Sequence, residues 1–438
     1  MLHRKAEEKL ADWKAHRSKQ GLLLTGARQV GKTTLVRDFA ARNYDSFVEL
    51  NFVDNPNAAS TLSAAANTKD LLLRISVLTG EEVTPGKTLL FLDEIQECQD
   101  MLTWVKFLAG DYGIDVVLSG SLLGIDAFVD VRSFPVGYLS VVEMFPLTFE
   151  EYCAACGPGA DAWALLEESL RSRKPVPGYL HEALTRRFRE YLLVGGMPDA
   201  VQAFVDSSQV PPVRRVQNGI VDMYEADIVK YVSDLTEARQ TKMVYEAIPS
   251  QLATPAKRFR YTRMGKNLRF SNLETAFDWL VGAGIAIEVT RVGEPVFPLG
   301  LSEDRASFKF FMNDIGLMAS RVMGDVSLEI LDGAGTVNYG SVYEAFVAQE
   351  LRAAGFAPHY YSSKKRGEVD FAIEDKATGR VRLVEVKSGK DYKRHSALSK
   401  LIESGEAKDP VVLCNENYAE ASGRRYVPVY AASLLGKL

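Results

Sequence analysis

The chain has little cysteine, no long apolar run and no excess of positive charge. Only Cys98, Cys153, Cys156 and Cys414 occur among 438 residues. Cys153 and Cys156 form a lone C-x-x-C with no second pair and no histidine beside it, so the spacing of a zinc site is missing. A helical setting makes them ordinary buried thiols, and this usage fits a reducing, cytoplasmic compartment. No apolar stretch reaches the length needed to span a bilayer, so no membrane contact is expected. The start, MLHRKAEEKLADWKAHRSKQ, is charged and reads as an amphipathic helix rather than a signal peptide. Lys and Arg number 52 against 57 Asp and Glu, a net charge of −5. The molecule as a whole is therefore no electrostatic sponge for nucleic acid, and any such contact must come from local basic patches. At this length one core does not suffice, and two to four domains are expected, about the usual number for such a chain.

What is present begins with GARQVGKTT, Gly26 to Thr34. An apolar run, Leu22-Leu23-Leu24, precedes it, and a helical pattern from Leu35 to Ala40 follows. This is the strand–loop–helix setting of a phosphate-binding loop. Gly26 and Gly31 let the backbone turn tightly and aim its N–H groups at phosphate oxygens. The helix starting near Lys32 adds its positive end. The Lys32 ammonium reaches the β- and γ-phosphates of a nucleotide, and the Thr33 hydroxyl binds Mg²⁺. The expected nucleotide-contacting residues are Gly26, Ala27, Arg28, Gln29, Val30, Gly31, Lys32, Thr33 and Thr34.

Thr88 to Leu92 is a second apolar run, ending in Asp93-Glu94. It suits a central parallel strand buried on both faces. Its C-terminal end is where ligands bind in open α/β sheets. Asp93 is expected to hold Mg²⁺, and Glu94 to polarise an attacking water as a general base. A further buried strand, Asp115 to Leu118, ends in Ser119-Gly120-Ser121. If this strand lies between the loop strand and the acidic strand, Ser119 or Ser121 can sense the γ-phosphate. The alternative is a simple strand-end turn.

Residues 148–234 read as mostly helical, broken at Gly195-Gly196-Met197-Pro198. Residues 235–304 suggest a winged helix, with two strands flanking Gly293-Glu294 as the wing. Lys257 to Arg269 carries six basic residues, no acidic ones, and interleaved aromatics. It is either a phosphate-backbone contact surface or a basic face turned to water or to an acidic neighbour.

Residues 305–438 hold a second constellation. A helix carries Glu344, a strand carries Asp370, and the next strand, after a turn at Gly379, carries Glu385 and Lys387. Alternation puts Glu385 and Lys387 on one face. With the strands in register, Glu344, Asp370 and Glu385 can hold Mg²⁺, and Lys387 can position or activate water. An Asp followed by Glu-x-Lys on paired strands resembles the restriction-endonuclease-like nucleases of the PD-(D/E)xK type.

Taken together, LLLTGARQVGKTTL, LLFLDEIQ, LSGSLL, FPLTFEEY, YLLVGGMPDAV, FKFFMNDIGLM, GEVDFAIE and LVEVKSG span residues 22 to 389. In this order the chain resembles a bacterial and archaeal family of AAA-like P-loop ATPases with a C-terminal domain of unknown function. The resemblance implies a multidomain α/β protein. Its parts are a P-loop NTPase core with a parallel sheet over 1–147, a helical lid over 148–234, a winged helix over 235–304 and a restriction-endonuclease-like α/β domain over 305–438. It implies ATP and Mg²⁺ as cofactors, with nucleotide roles at Gly26, Gly31, Lys32, Thr33, Asp93 and Glu94. The nuclease-like roles map to Glu344, Asp370, Glu385 and Lys387. In similar chains a basic residue often follows the glycine matching Gly137, but here it is Tyr138. If that residue is an arginine finger, this chain must use another, such as Arg132. The glutamine that some related nucleases place after the lysine is missing too, leaving Lys393 and His395 as substitutes.

Three functions are compatible with this reading. The first couples ATP hydrolysis to a nuclease acting on DNA or RNA. The second is an ATP-dependent switch or scaffold whose C-terminal domain binds without cutting. The third is a DNA-binding regulator using the winged helix. A homo-oligomer and an unidentified protein partner both remain open.

Overall fold

The computed structural model describes residues 2–16, 19–121, 137–157, 159–232, 234–252, 258–265, 268–322, 340–389 and 392–438. Arg132, Lys257 and Lys266 lie outside them. The chain forms two compact units, one of residues 3–145 with 282–284, the other of 146–281 with 285–438 and the first two residues.

The first unit is a five-stranded sheet. Its strands are β1 (Gly21–Thr25), β2 (Ser46–Asn51), β3 (Thr88–Asp93), β4 (Asp115–Ser119) and β5 (Leu139–Glu143). Their order is β2-β3-β4-β1-β5, and every pairing is parallel. Helices α1 (Ala6–His16), α2 (Lys32–Asn43), α3 (Pro56–Ser63), α4 (Thr68–Thr79) and α5 (Asp100–Val105) accompany the strands. A crossover helix is what a parallel pair requires. β3 and β4 are buried at every position, as strands covered on both faces must be. α2 turns Leu35, Val36, Phe39 and Ala40 inward, one apolar stripe at helical spacing. Leu23, Leu90, Leu92, Met101, Leu102 and Leu118 belong to the core. β4 lies between β1 and β3, which is the order that the γ-phosphate role of Ser119 presupposed.

The second unit gathers the segments expected as lid, winged helix and C-terminal domain. Its N-terminal part is helical: α6 (Phe149–Cys156), α7 (Ala160–Arg171), α8 (Gly178–Val194), α9 (Pro198–Ser207), α10 (Val210–Tyr231), α11 (Leu235–Leu252) and α12 (Glu274–Gly282). Next come β6 (Ala286–Val292), β7 (Glu303–Met312), α13 (Ile315–Val322), α14 (Gly340–Ala353), β8 (His359–Ser363), β9 (Gly367–Asp375) and β10 (Arg380–Val386). The chain ends with α15 (Ser396–Glu403), β11 (Val411–Cys414), β12 (Ala419–Ala421), β13 (Arg424–Pro428) and a 3₁₀ stretch, Val429–Lys437.

All eight strands form one mixed sheet, in the order β12-β13-β11-β10-β9-β8-β6-β7. β6 lies where the first wing strand was expected, but its antiparallel partner β7 begins only at Glu303, past the short strand expected directly after Gly293-Glu294. They do not stand out as a hairpin, because β6 also pairs parallel with β8. β9 and β10 form the expected hairpin, with Phe371 opposite Val384. Gly379 takes a φ of +64° in its turn, a conformation that glycine adopts without strain.

One aromatic core joins the helical part to the C-terminal part of this unit. The Phe149 ring lies 5.6 Å from Tyr191, 6.0 Å from Phe188, 6.3 Å from Phe346 and 6.2 Å from Tyr430. Gln349 Nε2 donates to Tyr191 Oη at 2.7 Å, and the Phe149 amide donates to Glu350 Oε1 at 2.9 Å. FPLTFEEY owes its pattern to a capping box: Thr148 caps α6 and Glu151 returns to the Thr148 amide at 2.8 Å. Cys153 and Cys156 lie on that helix as free thiols, both pushed up by burial. The glycine pair of VGGMP is a packing feature. A Cβ on Gly196 would meet Leu147 O at 2.0 Å. The Gly196 amide donates to Asp314 Oδ2 at 2.6 Å, and the Leu317 amide to Asp314 Oδ1 at 2.9 Å. Among the described residues, no helix is long and apolar enough to cross a membrane.

Candidate nucleotide site and carboxylate cluster

Parallel strands end along one edge, so the residues closing β1, β2, β3 and β4 meet there. Register pairs Asn51 with Asp93, and Leu24 with Ser119. The loop after β1 turns through Gly26 at φ +126°, Gln29 at +64° and Gly31 at +91°. A Cβ on Gly26 would fall 2.1 Å from Met144 O, so only glycine fits. Arg4 braces the loop by donating to Val30 O at 2.6 Å. Ala27 and Val30 are buried, while Thr34 is exposed. No side chain caps α2 after Gly31, which leaves the first-turn amides to an anion.

Lys32 Nζ donates to Gly26 O at 2.9 Å and Ala27 O at 2.8 Å. Burial pulls this ammonium down to about 8, opposed by Glu94 and Asp93. Thr33 Oγ1 donates to Asp93 Oδ2 at 2.8 Å. Ser119 Oγ donates to Asp93 Oδ1, and Asn51 Nδ2 to Asp93 Oδ2 at 3.2 Å. Glu94 adopts a left-handed backbone, φ 55° and ψ 51°, a strain that persists where surrounding structure enforces it. Its carboxylate accepts from Ser121 Oγ at 3.3 Å and from Gln96 Nε2. Arg28 Nε in turn donates to Ser121 Oγ at 3.2 Å. The two serines thus serve different carboxylates.

The donors fit a Mg²⁺ ion. Thr33 and Asp93 present hard oxygens side by side, and Mg²⁺ takes few protein ligands and keeps several waters. Among the described residues no group of three or more His, Cys, Asp or Glu is arranged to hold a metal.

The second constellation is carried by α14, β9 and β10. Asp370 and Glu385 do lie together, since the Val386 amide donates to Asp370 Oδ2 at 2.8 Å. Lys387 Nζ pairs with Glu385 Oε1 at 2.9 Å. Glu385 Oε2 is buried without a hydrogen-bond partner. Burial pushes the Glu385 carboxyl up to about 8, Asp370 adding to it and Lys387 opposing. Glu344, on α14, is completely buried.

A lysine that the sequence reading did not weigh sits among these carboxylates. Lys309 on β7 is 0 % exposed. Its Nζ lies 3.1 Å from Glu344 Oε2, 3.2 Å from Glu368 Oε1 and 3.5 Å from Asp370 Oδ1. Burial favours the neutral amine, but Glu344, Asp370 and Glu368 outweigh it and hold the ammonium above its ordinary value. Glu368 also takes Arg258, whose Nη2 lies 2.9 Å from Oε2 and donates to Ser362 Oγ at 2.7 Å. Arg258 thus faces an acidic neighbour, while Arg260, Arg263 and Arg269 are exposed. Phe259 and Tyr261, between them, pack on Phe277 and Phe308.

A cleft of about 530 Å³ opens beside the cluster, lined by Glu368, Glu385, Lys387, Arg394 and His395 among others. His395 precedes α15 and is buried, its Nε2 3.3 Å from Tyr426 Oη. Burial first, then Arg424 and Lys387, lowers it to about 4, so it stands neutral. Lys393 is exposed, its ammonium 5.6 Å from the Tyr392 ring centre.

Residues 18–153 match the model of an AAA domain. The N-terminal unit has a parallel-sheet, P-loop NTPase-like core. Residues 185–325 match a domain of unknown function (DUF8612), and 339–432 another (DUF4143). None of the curated proteins compared with the chain matches it. Among solved structures, a Walker-type ATPase of Pyrococcus abyssi is 14% identical, with 73% of this chain and 96% of that one covered at a TM-score of 0.42. The Hsp104–ADP complex of S. cerevisiae is 14% identical, covering 65% of this chain and 38% of that one at 0.30. A signal transduction ATPase with numerous domains and a tetratricopeptide repeat sensor, from Pyrococcus horikoshii, is 12% identical, covering 81% and 45% at 0.27.

Within this core, Tyr138 takes the position expected of a basic residue. Its carbonyl accepts from the Gly21 amide at 3.0 Å, and Lys106 Nζ lies 5.4 Å from its ring centre. Two residues of the core went unnoticed in the sequence. Asn51 closes β2 and reaches Asp93; a polar residue at the C-terminal end of a parallel strand was the available signal. Arg4 carries no such signal, because its acceptors are backbone carbonyls at Val30 and Phe145.

Proposed function

We propose that the chain is a Mg²⁺-dependent ATPase that works as a nucleotide-driven switch on its C-terminal unit. The observation that carries the first part is the contact of Thr33 with Asp93 at 2.8 Å beneath a loop that holds Lys32. In this reading the loop amides and Lys32 bind the phosphates, and Ser119 keeps Asp93 oriented. Thr33 and Asp93 would hold Mg²⁺, which when bound neutralises phosphate charge. Glu94 accepts the proton of the attacking water. Withdrawal of Mg²⁺ by a chelator is expected to stop phosphate release from ATP, and magnesium should restore it. Release that continues unchanged in excess chelator contradicts this assignment.

For the C-terminal unit, we read α14 and β8 to β11 as a restriction-endonuclease-like arrangement used for binding rather than cutting. The observation favouring this is Lys309 within the carboxylates. The cutting alternative draws support from Lys387 on Glu385 beside Asp370. Mg²⁺- or Mn²⁺-dependent cleavage of DNA or RNA, lost on Lys387→Ala, would decide for the alternative. Contact with nucleic acid would use the exposed Arg260, Arg263 and Arg269, which makes binding salt-dependent.

A further inference from the structure

We infer that the Lys309 ammonium is the resident cation of the carboxylate cluster, standing where a divalent metal would otherwise sit. This rests on the endonuclease-like reading of α14, β9 and β10. The residues that such a reading assigns to metal are Glu344, Asp370 and Glu385. Two of the three already hold Lys309, and Glu368 closes the set, with Nζ distances of 3.1, 3.5 and 3.2 Å.

The geometry argues against a passing surface contact. Lys309 lies inside β7, between Phe308 and Phe310, both buried, and its own exposure is 0 %. The ammonium has no water to return to, so its charge stays with the three carboxylates. Removing one partner of such a buried set leaves an uncompensated charge, which is strongly destabilising. A divalent ion entering here would meet a fixed positive charge at ion-pair distance from its own ligands. Two further cations flank the cluster. Arg258 pairs with Glu368, and Lys387 pairs with Glu385. No carboxylate of the cluster is left without a cation beside it.

The lysine also links two parts of the sheet. β7 is its outermost strand at one side, while β9 lies three places inward. The helix that carries Glu344 supplies the third element. The internal cation therefore fastens β7 to α14 and β9, a task that a metal cannot share without displacing it.

The test is Mn²⁺ binding by the full-length chain carrying Asp93→Asn, which silences the nucleotide site. Binding is read by the loss of free Mn²⁺ signal in electron paramagnetic resonance, and by the shift of Tm with Mn²⁺. With Lys309 present, no binding at this cluster is expected. Lys309→Met should raise Mn²⁺ affinity by roughly tenfold or more, the scale on which neighbours tune metal sites. Mn²⁺ should raise the Tm of that variant, and adding Asp370→Asn should abolish both effects.

Binding by the protein with Lys309 intact, lost on Asp370→Asn, would overturn the inference while leaving the endonuclease-like reading standing. A folded Lys309→Met variant that takes no Mn²⁺ would overturn the endonuclease-like reading, and the inference with it. If Lys309→Met does not fold without metal, the Lys309-intact pair still decides. A Mn²⁺-induced Tm rise that Asp370→Asn removes contradicts the resident ammonium, and its absence supports it.

Discussion

Lys32→Ala should abolish measurable ATP turnover. Lys32 is the first residue of α2, and its ammonium is held by the carbonyls of Gly26 and Ala27 on the loop before it. On the proposed reading, bound ATP draws its charge from those carbonyls to phosphate oxygens, where negative charge concentrates during transfer. Removing one preorganised group of this kind costs about a hundred- to a thousandfold in turnover. The fold should survive, because the side chain donates to carbonyls of the loop before α2, and α2 is anchored by Leu35, Val36 and Phe39. The check is phosphate release together with Tm. Turnover like that of the unaltered chain would remove the ATPase assignment. A collapsed Tm would shift the loss to folding.

Phe149→Ala should be the most damaging single change to the second unit. The side chain is fully buried. Its ring meets aromatic rings of α8, α14 and the C-terminal 3₁₀ stretch, three of them edge-on. Truncating a buried phenylalanine costs about 3–5 kcal/mol in lost transfer energy and cavity. That is a large share of the roughly 5–15 kcal/mol by which a domain is stable. Because the core joins helical and C-terminal segments, both should melt in one transition at a lower urea concentration. Trp163, 6.1 Å from Phe149, reports it by fluorescence. An unchanged midpoint would show that the two parts are stabilised separately.

The AAA-like core was legible in the sequence because its determinants are local. Glycines at fixed offsets, a lysine on a helix start and an all-apolar strand ending in Asp93-Glu94 require no knowledge of distant contacts. The turn of β9 into β10 was legible for the same reason. The carboxylate cluster was only partly so. Asp370 and Glu385 meet across a short hairpin, but Lys309 reaches Asp370 over 61 positions. A lysine enclosed in Phe308-Lys309-Phe310-Phe311-Met312 was the signal available, since lysine is almost never fully buried unless paired. The pairing of β6 with β7 follows a local pattern, whereas the pairing of β6 with β8 does not. That second contact joins Thr290 to His359 and draws β6 into the eight-stranded sheet. Gly195 and Gly196 announced a break, but their reason lies in Leu147 and Asp314, far along the chain.

Glu94→Gln separates binding from chemistry and so tests the central claim most directly. Binding of ATP with Mg²⁺ and release of phosphate should be measured on the same preparation, with and without the substitution. The unaltered chain should bind and turn over. The glutamine variant should bind ATP comparably and release phosphate about a hundred- to ten-thousandfold more slowly, the scale for a positioned base. Equal release rates would contradict Glu94 as the base, and no release from the unaltered chain with Mg²⁺ would contradict the ATPase itself.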